Sequence, residues 1–344
     1  MAQQSLSVKY RPMSFNDMTE QSAIKDILEN QIKTKTFQHG YLFTGPSGTG
    51  KTTSARIFAS MINEGKGNPI EVDAASNSGV DNIRQIIEDA KRKPLDAEYK
   101  IFIVDECHSL SDSSWQALLK TLEEPPKFTI FIFCTTNPEK IPATILSRVQ
   151  RYNFQKISNE GIVDRLNMIL EKESDEIDNL SCKLNLEQDA LEFIAKVSSG
   201  GMRDAITLLD KCLSLSHEVT LENVLKTIGS EDYSTFITFL SALEEKEKEI
   251  SIKVVEDVYN AGKDVKQFMK DFARFILEVE KYTIYGNFDY VNLPNTLESN
   301  LEQLNSVDLF NVMDFVVSLN SQIKWENDPK TLIELSILIY CGKE

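Results

Sequence analysis

Gly45-Pro46-Ser47-Gly48-Thr49-Gly50-Lys51-Thr52 has the spacing G-x-x-x-x-G-K-[ST], the pattern of a loop that grips phosphate. Its glycines let backbone N–H groups turn inward on phosphate oxygens, and the start of a following helix adds partial positive charge. Lys51 is then the cation that reaches the β- and γ-phosphates, Thr52 offers a hydroxyl to Mg²⁺, and Thr53 continues the helix beside them. The bland reading is a Gly-rich turn with a chance Lys-Thr. A second pair, Asp105-Glu106, closes the apolar run 101–104. Asp105, at a strand end, can hold Mg²⁺ beside such a loop. Glu106, one residue on, can orient an attacking water or take its proton. The alternative is an acidic pair that caps a helix near Ser109. Cys107 and His108 read as structural.

These residues need elements that bring them together. Gly40 to Thr44 is apolar, short and followed at once by glycines, as a buried strand feeding a turn would be. Pro69 to Asp73, Lys100 to Asp105 and Phe128 to Cys134 read as strands too. The last two are apolar on successive residues, so both of their faces are covered. Helical spacing runs through Val80 to Lys91 and Ser113 to Leu122. Alternating strands and helices predict an α/β module with a parallel sheet covered on both sides.

From about residue 157 the strand signal disappears. Short amphipathic helices are expected over Gly161 to Glu171, Leu186 to Val197, Met202 to Leu213 and Leu221 to Ile228. Longer ones follow Gly229-Ser230, through Phe236-Leu240, Val254-Val258, Phe268-Val279, Leu309-Leu319 and Leu332-Tyr340, with a loop over Asn287 to Asn295. The expected domains are an α/β module at 1–156, a small helical domain at 157–229 and an all-helical domain at 230–344.

The 344 residues are 41% apolar and carry a net charge of −16. Residues 1–156 hold 19 basic and 18 acidic side chains, against 18 and 35 in residues 157–344, so nearly all the excess acid lies in the second half. Any contact with a phosphate backbone belongs to the first half. No apolar stretch approaches the ~20 residues of a membrane span, and the N-terminus lacks the layout of a secretory signal, so a cytoplasmic protein is expected. The five cysteines (107, 134, 182, 212 and 341) include no C-x-x-C pair. They read as small buried apolar residues rather than disulfides or a zinc site.

Further segments occur in a telling order. They are Val8-Lys9-Tyr10-Arg11-Pro12 with Phe15, the loop 45–52, Val72 to Asn77, Asp105 to His108, and Leu118-Leu119-Lys120-Thr121-Leu122-Glu123-Glu124-Pro125-Pro126. Thr135-Thr136-Asn137-Pro138, Ile145-Leu146-Ser147-Arg148 and Gly201-Met202-Arg203-Asp204-Ala205 complete them. Over residues 8 to about 215 the chain closely resembles the tau/gamma subunits of bacterial DNA polymerase III, AAA+ ATPases of replicative clamp loaders. The remainder agrees in being helical and of suitable length for that family's collar domain, the small helical domain at 157–229 being its lid.

That resemblance implies an ATP- and Mg²⁺-dependent, ATP-hydrolysing subunit of a five-membered open spiral that opens a sliding clamp and loads it onto primer–template DNA. It implies an arginine finger at Arg148, reaching a neighbouring subunit's ATP, and a first sensor at Thr136, with Asn137 a weaker candidate. It also implies a second sensor at Arg203 and an adenine-facing segment at Tyr10, Arg11 and Pro12. Without it, Arg148 and Arg203 would be ordinary surface arginines. DNA contacts are expected around Ser76, Asn77, Gly79, Arg84 and Lys91-Arg92-Lys93, the last of which could equally be a solvated helix end. The family's zinc-binding insertion is replaced by the short loop Glu64 to Asn68, so no zinc is expected, and its Ser-Arg-Cys reads Ser147-Arg148-Val149. The chain stops at Glu344 without a polymerase-binding extension and is expected to resemble the short form. Two alternatives remain: a nucleotide-bound scaffold subunit that does not hydrolyse ATP, and another AAA+ DNA-processing ATPase.

Overall fold

The computed structural model describes residues 4–177, 185–216, 218–228, 233–288, 290–304 and 309–342. The chain divides into two compact units, Met1–Lys183 with Ile194–Asp210, and Leu184–Phe193 with Lys211–Glu344.

In the first unit, α1 (Leu6–Lys9) and α2 (Ser22–Thr34) lead into β1 (Gly40–Thr44), α3 (Lys51–Ile62), β2 (Ile70–Asp73), α4 (Val80–Ala90) and β3 (Lys100–Asp105). Then come α5 (Asp112–Glu123), β4 (Thr129–Thr135), α6 (Ala143–Leu146), β5 (Gln150–Asn153) and α7 (Asn159–Ile177). All five strands are parallel, in the order β2-β3-β4-β1-β5. Every residue of β1 and β4 is buried, as both-faced coverage requires. Successive side chains of β1 enter different cores: Tyr41 and Phe43 pack with Phe58 of α3, while Leu42 packs with Phe102, Phe131 and Trp115 on the other face. Phe43 is fully buried between the Tyr152 and Phe154 rings, with centroids 5.6 and 5.3 Å away.

Both helical segments α8 (Gln188–Val197) and α9 (Met202–Leu215) follow the expected apolar spacing, with Ala190, Ile194, Ala205, Leu209 and Cys212 buried. Two short strands, β6 (Asn185–Leu186) and β7 (Glu218–Val219), pair in parallel in the second unit, which corrects the expectation of no strand beyond residue 157. Two residues apiece are too few to show a period. The strand β5 is equally absent from the sequence reading. It is an edge strand of mostly polar residues in which only Tyr152 is buried, so it shows no apolar run.

The rest of the second unit is helical: α10 (Leu221–Ile228), α11 (Tyr233–Glu244), α12 (Lys248–Asn260), α13 (Val265–Tyr285), α14 (Glu298–Leu304), α15 (Phe310–Ile323) and α16 (Pro329–Gly342). α12 packs on α11 and α16, and α13 on α15. Their shared core is rich in aromatic rings, Phe236, Phe239, Phe268, Phe272 and Phe275 among them. Cys107, Cys134, Cys212 and Cys341 are buried thiols; Cys182 lies outside the described residues. Among the described residues, no helix is long and apolar enough to cross a membrane.

Phe43→Ala opens a cavity at the strand that carries the glycine loop. It should cost about 3–5 kcal/mol, read as a lower urea midpoint with an unchanged slope.

Candidate functional site

The loop between β1 and α3 can exist only with glycine at its strained positions. Gly45 has φ +142° and its Cβ would strike the Phe154 carbonyl; Gly48 has φ +73° and lies against Gly201. A side chain is disfavoured at both. The fold that results sets Lys51 at the first position of α3, 7% exposed, with Nζ donating to the Gly45 and Pro46 carbonyls at 2.9 and 2.7 Å. Burial pushes the Lys51 ammonium below the usual lysine range, and Cys134, Glu106 and Asp105 nearby oppose that shift. Thr49 Oγ1 donates to the Pro46 carbonyl at 2.9 Å and tightens the loop.

The sheet order brings the acidic pair alongside. β4 lies between β1 and β3, and Thr44 pairs with Thr135 in register. The C-terminal ends of three adjacent strands therefore deliver the glycine loop, Asp105 and Thr135-Thr136 to one edge of the sheet. The Thr52 hydroxyl donates to Asp105 Oδ2 at 2.8 Å. Both partners are hard oxygen ligands of the kind Mg²⁺ accepts. Glu106 sits in the left-handed region at φ +46°, a strain of about 1–3 kcal/mol for a residue with a side chain. It makes no capping hydrogen bond; the helix α5 is capped instead by Ser111, which accepts from the Ser114 amide at 3.2 Å. The helix-cap alternative for the acidic pair therefore fails. Thr136 Oγ1 donates to Glu106 Oε2 at 3.3 Å.

A cleft of about 320 Å³ opens over these groups. Its walls include Tyr10, Arg11 and Pro12, the loop from Ser47 to Thr53, Asp105, Glu106 and Arg203. Met18, Ile157, Met202 and Ile206 give it an apolar side. That size and mix of apolar wall and convergent polar groups suit a small ligand. The inward-turned glycines, the buried cation and the Thr52–Asp105 pair fit a nucleoside triphosphate with its magnesium ion.

Arg148 is elsewhere. Its carbonyl lies 3.4 Å from where a Cβ on Gly40 would stand, at the start of β1. The glycine loop begins at the other end of that strand, roughly 17 Å away at ~3.3 Å per residue. Its guanidinium donates to Glu123 Oε1 and the Thr144 carbonyl, each at 2.6 Å. Of the expected DNA contacts, Arg84 pairs with Asp81 at 3.2 Å and Lys91 with Glu88 at 2.6 Å, all four exposed on or beside α4.

Two further residues stand here, one that the sequence marked only as structural and one that it did not mark. His108 Nδ1 is 3.3 Å from Glu106 Oε2 and 3.1 Å from Thr135 Oγ1, so it belongs to the acidic pair's surroundings, a role its position two residues on could have suggested. Arg165 lines the cleft, and no local pattern marks it.

Two family models match, the DNA polymerase III delta subunit over residues 68–158 and the ATPase lid domain of a DNA polymerase III clamp loader subunit over 161–218. DNA polymerase III subunit tau of Bacillus subtilis is 35% identical over 99% of this chain and 64% of its own length. DNA polymerase III subunit gamma of the Acyrthosiphon pisum Buchnera aphidicola is 31% identical, over 81% of each chain. The chain belongs to the gamma/tau family of DNA polymerase III subunits. It spans between about two fifths and two thirds of the first four tau and gamma/tau relatives. Among solved structures, the Thermotoga maritima RuvB Holliday junction branch migration motor matches with a TM-score of 0.50 at 21% identity, covering 69% of this chain and 80% of that one. At that identity the likeness speaks for the AAA+ fold alone, the α/β module read from the sequence.

The lowered Lys51 pKa gives this gamma/tau protein a pH signature. The unfolded chain holds the proton up to the ordinary lysine range, the folded chain loses it earlier, so this group's contribution to stability rises with pH between the two values. Lys51→Met removes that contribution. Unfolding free energies by urea at pH 7 and pH 10 should therefore shift in favour of the wild type at the higher pH; a difference that does not change with pH would contradict the assignment.

Proposed function

We propose that the chain is an ATP-hydrolysing subunit of a DNA sliding-clamp loader, acting in the cytoplasm with other loader subunits, a sliding clamp and primer–template DNA. The observation that carries this is the convergence of Lys51, Thr52, Asp105 and Glu106 on one cleft while Arg148 stands beside the far end of β1. The proposed division is an ATPase module at 1–156, a lid at 157–229 and a collar at 230–344.

In this reading the backbone from Gly45 to Gly50 cradles the phosphates and Lys51 leaves its two carbonyls for phosphate oxygens, which are stronger acceptors. Thr52 and Asp105 hold Mg²⁺, which when bound neutralises charge on the phosphates. Glu106 orients the water and takes its proton; Thr136 senses the γ-phosphate and holds Glu106 until then. Arg203, beside the loop, reads the same nucleotide from the lid helix α9, and Tyr10, Arg11 and Pro12 face the adenine. Arg148 cannot serve its own cleft across that distance, which favours action on a neighbour's nucleotide, where it offsets charge developing on the transferred group. A scaffold without hydrolysis is disfavoured because Lys51, Thr52, Glu106 and Arg148 are all present. A branch-migration motor shares the fold, but the gamma/tau kinship argues against it.

Phosphate contacts to DNA would come from the first half of the chain, from Ser76, Asn77, Gly79 and Arg84 near the start of α4 and from Lys91 to Lys93 beyond its other end, and would be sequence-independent and salt-sensitive. In a loader assembled with its partner subunits, clamp and primed DNA, Lys51→Ala should lose nucleotide binding and Glu106→Gln should bind ATP but turn over at least about 100-fold more slowly. Arg148→Ala should also bind normally and lose about 1,000-fold in turnover. Normal hydrolysis by Arg148→Ala in the full assembly would remove the trans role.

A further inference from the structure

Arg165 stands on α7, among residues that read as an ordinary amphipathic helix. Its guanidinium nevertheless spans two backbone carbonyls far away in sequence: Nη2 donates to Tyr10 O at 2.7 Å and Nη1 to Asp17 O at 3.0 Å. One planar fork thus holds both ends of the segment from Tyr10 to Asp17. A lysine ammonium, a single point of charge, could not present two donors in that fixed plane. The hold continues beyond Asp17. Met18 packs its Cε close to Gly50 and accepts from Ser54 Oγ at 3.3 Å, and its carbonyl accepts from Lys25 Nζ at 3.1 Å. Through Arg165 and Met18 the wall made by Tyr10, Arg11 and Pro12 is therefore fastened to α7 on one side and to the phosphate loop's helix on the other. Burial lowers the Arg165 pKa from its ordinary value, in keeping with a guanidinium drawn partly out of water.

We propose that Arg165 is a positioning residue for base selection: it fixes the Tyr10–Asp17 segment, and the fixed segment discriminates adenine from guanine. This rests on the reading of the cleft as an ATP site. Adenine and guanine differ in which atoms donate and which accept along the edge of the ring. A rigid wall penalises the wrong base by leaving its polar groups unpaired, whereas a wall free to shift re-forms around either. The triphosphate is gripped by a different set of residues, so base selection and phosphate affinity separate.

The test is equilibrium binding of ATP, GTP and inorganic tripolyphosphate, with magnesium, to the wild type, Arg165→Gln, Arg165→Lys and Lys51→Ala. The wild type should prefer ATP. Arg165→Gln should weaken ATP binding about tenfold, the size expected for a lost charge-assisted hydrogen bond, and shrink the ATP-to-GTP ratio, with tripolyphosphate affinity unchanged. Arg165→Lys should move the same way by less. A merely structural role would lower all three affinities together and leave the ratio intact. An unaltered ratio in both Arg165 variants, or no preference for ATP in the wild type, overturns the inference. If instead Lys51→Ala binds ATP and tripolyphosphate as the wild type does, the phosphate-site reading itself is what fails.

Discussion

An ammonium buried as deeply as that of Lys51 is costly unless its protons find acceptors. Here two of them rest on the Gly45 and Pro46 carbonyls. The same economy governs its neighbours. Thr52 rests on Asp105, and Thr136 on Glu106. Each of these side chains, placed to meet a phosphate, a metal ion or a water, rests on a partner within the protein. Such a site is held ready without leaving any of these charges bare, and binding becomes an exchange of partners rather than a creation of order.

What makes the exchange possible is strand order. Had β2 in place of β4 lain between β1 and β3, Asp73 rather than Thr135-Thr136 would have stood between the glycine loop and the acidic pair. Placing β4 between β1 and β3 sets the loop, Thr135-Thr136 and Asp105 at one edge, where open parallel sheets bind their ligands. The first unit's cores serve that arrangement. Tyr41 and Phe43 fill one face and Leu42 the other, so β1 is clamped from both sides and the loop it carries has little freedom to drift.

The parts legible in the sequence are those whose information is local. The loop 45–52 declares itself by spacing, Asp105-Glu106 by ending an apolar run, and β1, β3 and β4 by being apolar on successive residues. β5 was hidden because an edge strand needs only one buried side chain, Tyr152. Arg165 was hidden because its meaning lies in two carbonyls some 150 residues away. The strained backbone at Glu106 has no signature either, since any residue may be forced there by its surroundings. Arg148 and Arg203 acquired roles through resemblance alone. For Arg203 the structure supplies a place on the cleft wall; for Arg148 it supplies a place away from the cleft.

That separation has an energetic side. The Arg148–Glu123 pair leaves its side chains about a third and a half exposed, so it contributes only about 0–1 kcal/mol. Glu123 can therefore be given up at little cost. The Thr144 carbonyl and Ser147 Oγ, at 2.6 and 3.0 Å from Nη1, hold the other side of the guanidinium and spare it much of the rotamer entropy that a long free side chain loses on engagement. On the proposed reading, a partner's polyanionic nucleotide is a stronger claimant for the fork than Glu123 is. An isolated chain then has a complete binding cleft but an incomplete hydrolytic one. Turnover in such a design waits on assembly, with a weak surface ion pair as the keeper of the missing group.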